Sequence, residues 1–223
     1  MNLLSPKSII VKKDGPFQTS FEISKKQSYT IAENGVEIKK HIETVYKSKP
    51  AGKYQAKVDV PPLKDETIEL YHSFQSLINH CNNNAEVLNN QLRDFVLTIK
   101  DLNQTKEEIM AKDFMSLRDI LSDFLKTNTI IKAQDLFNTR EKIKAITSTF
   151  HRYISDRNIY THGILKLRFP EKVFVMQYIE NKRITVYAEL SIEILKSNLS
   201  VSEELANILA QINTIYNDIK KLI

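Results

Sequence analysis

Only four glycines and six prolines occur in 223 residues, most of them before residue 62, and the next hundred residues contain no glycine. Glycine and proline are the strongest local punctuation of a chain, so a stretch this long without glycine favours long helices over hairpins and tight turns. From Asp65 to about Met110, apolar residues recur mostly three and four apart, through Ile68, Tyr71, Ile78, Cys81, Ala85, Leu88, Leu92, Phe95 and Ile99. That stripe predicts one long amphipathic helix, with a break near Asn82–Asn84 as the alternative. A second helix is predicted over about Asp113 to Lys126. A third starts near Ala133 and runs to Gly163, with Ile143, Ile146, Phe150, Tyr153 and Ile154 inward. A last helical region begins near Ser191, with Ser200–Glu203 offering a cap before Leu205.

Strand signals flank this helical stretch. Phe17, Thr19, Phe21 and Ile23 alternate with polar neighbours, and Tyr54, Ala56, Val58 and Val60 repeat the pattern. Asn34–Gly35 predicts a hairpin, because both residues tolerate the positive φ of a type I′ turn. Asp14–Gly15–Pro16 reads as a further turn, and Pro61–Pro62 ends the region. Val173–Ile179 and Ile184–Leu190 read as two strands of a hairpin.

The residues with the clearest chemistry close the third helix, in Ser155-Asp156-Arg157-Asn158-Ile159-Tyr160-Thr161-His162-Gly163. Arginine offers a rigid positive fork for phosphate oxygens. Histidine exchanges a proton near neutral pH. Five residues on a regular helix separate Arg157 and His162 by about 140°. Either the last turn unwinds before Gly163, or the two side chains reach a phosphate from different directions. The plain alternative is a solvated helix end, where a late histidine favours the helix dipole. Arg152, Lys166 and Arg168 lie nearby and are candidates to track an RNA backbone.

Arg157-Asn158-x-x-x-His162 resembles the signature of the HEPN superfamily, all-helical domains of RNA-cleaving toxins and antiviral effectors. The resemblance implies a mainly α fold: a HEPN-like helical bundle over 63–223 with a hairpin at about 173–190, preceded by a β-rich segment over 1–62, α+β overall. It implies a metal-independent endoribonuclease of toxin–antitoxin or antiphage defence type, with Arg157, Asn158 and His162 catalytic. Its partners would be RNA, a second copy of the chain and a cognate antitoxin. The alternative is a noncatalytic binding or interaction module. Some toxin members of the superfamily carry a tyrosine two residues beyond the histidine, and that position is here Ile164.

Composition narrows the classes without choosing among them. A net charge of +5 is compatible with nucleic acid and too small to argue for it alone. The single cysteine, Cys81, excludes an intrachain disulfide and a thiolate zinc cluster, and reads as a core residue. No cofactor or metal is expected. The N-terminus lacks the apolar run of a secretory signal and no window approaches a membrane span, so a cytoplasmic protein is expected.

Overall fold

A computed structural model describes residues 13–14, 21–48, 62–99, 104–135, 137–169, 172–180 and 184–220. In chain order the elements are β1 (Lys13–Asp14), β2 (Phe21–Glu33), β3 (Val36–Ser48), α1 (Asp65–Thr98), α2 (Lys106–Met110) and α3 (Phe114–Thr127). Then come α4 (Thr129–Lys132), α5 (Arg140–His162), β4 (Ile164–Phe169), β5 (Val173–Glu180), β6 (Ile184–Glu189) and α6 (Ile192–Lys220). They form two compact units. The described residues of the sheet unit fall within Ile10–Asn79 and Ile159–Leu195, and those of the helical unit within His80–Asn158 and Lys196–Ile223.

The sheet unit carries six strands in the order β1-β6-β5-β4-β3-β2. β2 and β3 are a hairpin closed at Asn34 and Gly35, whose φ angles of 53° and 78° are those the turn requires. β4, β5 and β6 form an antiparallel meander. The two halves join through one parallel pair, β3 with β4, in the register Glu43↔Lys166 to Tyr46↔Phe169. Ile42, Val45, Leu167, Phe174, Val175 and Tyr187 are buried in this unit. The first turns of α1 pack here too, with the Phe74 and Phe174 rings 4.8 Å apart and the Tyr29 hydroxyl 3.2 Å from His72 Nε2.

The helical unit has a larger apolar core. Leu88, Leu92 and Phe95 of α1, Leu117, Leu121 and Leu125 of α3, Phe150 and Tyr153 of α5, and Leu205 and Ile212 of α6 are all buried in it. Burying a side chain of this size contributes about 1.5–3 kcal/mol, so this core dominates the unit's stability. Short helices are fixed by caps. Thr105 and Glu108 form a capping box on α2. The Asp113 carboxylate accepts from the Ser116 backbone N–H at 2.7 Å to start α3, and those bonds hold its carboxyl below the usual range.

The expected helical bundle with β additions is corrected: this is an α+β fold. The N-terminal hairpin and the strands after α5 share one sheet through the β3–β4 pair. Alternation marks a strand but carries nothing about a partner more than a hundred residues away, and β4 lacks clean alternation because Leu165 to Arg168 are all buried. α1 runs unbroken through Asn82–Asn84 and ends at Thr98, short of the expected Met110. α5 begins at Arg140 rather than near Ala133, and α6 passes through Ser200–Glu203 without a break. The strand expected over Tyr54–Val60, with Phe17, Thr19 and Gly15–Pro16, lies outside the described residues.

Candidate functional site

Helix α5 carries the proposed motif and stays regular to its last residue. The Gly163 N–H donates to the Ile159 carbonyl at 2.9 Å, so the last turn does not unwind. Arg157 and His162 keep the angular separation of a regular helix, about 140°. Gly163 is required by a close approach. A Cβ there would lie 2.6 Å from the Ile159 carbonyl oxygen of α5 itself and 2.7 Å from the movable Met176 Cε on β5, so only glycine lets the chain leave the last turn of α5 this tightly.

The named residues separate into different environments. Arg157 and Asn158 belong to the helical unit, His162 to the sheet unit. Arg157 Nη2 lies 3.9 Å from the exposed Glu86 carboxylate, and Nη1 donates to Asn158 Oδ1 at 3.4 Å. Both are at the outer limit of their kind, and an ion pair this open to water contributes at most about 1 kcal/mol. Asn158, Arg152 and His162 are exposed. Lys166 and Arg168, expected to track RNA, are buried in the sheet. Lys166 Nζ is 3.0 Å from Glu43 on β3, and Arg168 reaches across β5 to Glu189 on β6.

Two buried groups of the helical unit have shifted titration. Burial pushes the Asp156 carboxyl up to about 6, partly opposed by Arg152, and its Oδ2 has no hydrogen-bond partner. Burial pushes the Cys81 thiol up to about 12, which leaves it a core residue and a poor nucleophile. Among the described residues no three His, Cys, Asp or Glu side chains come together as a metal site requires, and no helix is long and apolar enough to cross a membrane.

One cavity of the helical unit, about 830 Å³, lies between α3 and α5 and was not expected from the sequence. Arg118, Lys126, Lys132, Arg140, Lys144 and His151 line it, and among the described residues none of its lining is acidic. A periodic signal for it exists. Residues 118, 122 and 126 share one face of α3, and 140, 144, 147, 148 and 151 share one face of α5, at the three- and four-residue spacing of a helix. Arg118 is anchored: it pairs with Asp119 at 2.9 Å and donates to His151 Nδ1 at 3.0 Å. Because guanidinium has no acceptor, that bond places the His151 ring proton on Nε2. No family model matches the chain, and neither does any curated protein or solved structure.

Proposed function

We propose that this chain is a noncatalytic RNA-binding module that holds the RNA backbone on its helical unit. The observation that carries this reading is the cavity lined by five Lys and Arg side chains with no acidic residue among its described lining. Phosphates supply most of the affinity in such binding, through charge neutralisation and counterion release. Arginine and lysine stems also give the cavity an apolar floor beside their charged ends. Single-stranded RNA should bind with log affinity falling linearly as log salt rises. If all five cations meet phosphates, the slope is about −3.5. Titration of labelled RNA across a salt series tests this. Binding that ignores salt, or polyglutamate competing as well as RNA, would defeat it.

Metal-independent RNA cleavage is the second reading, favoured by His162. Its ring is exposed and without a side-chain partner among the described residues. In that reading His162 moves the protons of the 2′-hydroxyl and the leaving 5′-oxygen, Arg157 neutralises developing charge, and Asn158 orients the site. A homodimer would supply a second copy of the motif. Incubation with total RNA in EDTA should then yield 2′,3′-cyclic phosphate ends, and His162→Ala should slow cleavage by about a hundredfold to ten-thousandfold. Cleavage that survives His162→Ala, or that EDTA abolishes, ends this reading.

A further inference from the structure

We infer that the cavity between α3 and α5 is a site for a nucleotide 5′-polyphosphate, carried at the end of an RNA or on a free nucleoside triphosphate. This rests on the RNA-binding reading of the same cavity and narrows what enters it. The first argument is size. A volume of about 830 Å³ is ~12 Å across if round, within the range of small-ligand sites. A duplex is too wide to enter, and a terminal polyphosphate packs more charge into this space than the same length of an extended strand.

The second argument is charge density. Each internal phosphodiester brings one negative charge, whereas a terminal phosphate carries about −1.5 to −2 at neutral pH. A triphosphate therefore concentrates several charges within the reach of one cavity. The cavity is matched to such a load. Lys132, Arg140 and Lys144 have no side-chain partner among the described residues. The two remaining cations have carboxylate partners outside the lining, Asp119 on Arg118 and Asp123 on Lys126 at 3.3 Å, and both carboxylates are largely exposed. The exposed Lys126–Asp123 pair is weak and yields to a phosphate oxygen at little cost. Arg118, whose Nη2 is held by His151 Nδ1 and Met115 Sδ, offers Nη1 to a phosphate oxygen in exchange for the exposed Asp119 carboxylate. Among the described residues the lining offers Ile143 but no Phe, Tyr or Trp face on which a base would stack, so the phosphates are what this site recognises and the base identity is not.

The test compares RNAs of one sequence bearing a 5′-triphosphate, a 5′-monophosphate or a 5′-hydroxyl, with tripolyphosphate and GTP as free competitors. The triphosphate RNA should bind at least tenfold more tightly than the hydroxyl RNA. Arg140→Glu with Lys144→Glu should erase that preference. Both positions are exposed, and an unchanged circular dichroism spectrum and Tm confirm folding. Lys39→Glu with Lys64→Glu, both exposed in the sheet unit, makes the same change of charge and should leave the preference intact. GTP binding as tightly as the triphosphate RNA identifies the free nucleotide as the ligand, and GTP binding at least tenfold more weakly identifies the RNA end. Equal affinity for the three RNAs overturns the polyphosphate site and leaves RNA binding standing. Failure of every RNA to bind overturns both.

Discussion

The helical unit and the sheet unit use the same two side chains in opposite ways. Lys132, Arg140 and Lys144 of the helical unit are exposed around a cavity without acidic lining among the described residues. Lys166 and Arg168 of the sheet unit are 6% and 5% exposed, and each is matched with a carboxylate from another strand of the same sheet. A buried cation without a counter-charge is too costly to keep, so the sheet can hold its two only as pairs. On the solvated faces of α3 and α5 desolvation costs little, so cations there need no partner and stay available to a ligand. Availability, not charge, separates a binding residue from a structural one.

That contrast can be broken most directly by reversing charges in the cavity. Lys132→Glu, Arg140→Glu and Lys144→Glu together should weaken RNA binding by about a thousandfold, roughly 4 kcal/mol, at low salt. Urea unfolding should meanwhile move by no more than about 0.5 kcal/mol, since all three are exposed. A large loss of stability would mean that these side chains are structural after all. The mirror experiment is Arg168→Leu, which leaves Glu189 uncompensated. It should cost about 3 kcal/mol in urea unfolding, the low end for a broken buried pair because Glu189 is partly exposed, while RNA affinity of the folded protein stays unchanged.

Asp156 sharpens the comparison, because it is a buried acid in the unit whose cations are exposed. Its folded pKa of about 6 lies above the ordinary value of 3.8, so the folded state holds the proton more tightly than the unfolded chain. That contribution is fully present below about pH 4 and is lost as pH rises through about 6. Asp156→Asn, which cannot ionise, should therefore be more stable than the parent at pH 8, by no more than about 3 kcal/mol, and the gap should close near pH 4. A gap that is flat across pH would show that Asp156 is not the titrating group. The smallest effect is expected for Lys126→Ala, whose partner Asp123 is 78% exposed. Its stability should change by less than about 0.5 kcal/mol.

Local chemistry was legible in the chain before its structure. The apolar stripe along α1, the helix from about Asp113 to Lys126, the Asn34–Gly35 turn and the β5–β6 hairpin each depend on residues within a few positions of one another, and each is present. The burial of Cys81 followed in the same way from its place on the stripe. What sequence periodicity does not encode is pairing at long range. Joining β3 to β4 brings Glu43 to Lys166 across more than a hundred residues, and that pairing turned an expected bundle into a six-stranded sheet. The same pairing removed Lys166 and Arg168 from the candidate RNA surface, because burial and counter-charge are properties of the folded sheet. Conversely, the two cationic faces of α3 and α5 were each visible as helical spacing, but only their packing against one core could set them around a common cavity. The sequence alone determined which faces would be apolar and which charged. The tertiary structure decided which charges met each other and which were left to meet something else, since that outcome rests on distances between elements far apart in the chain.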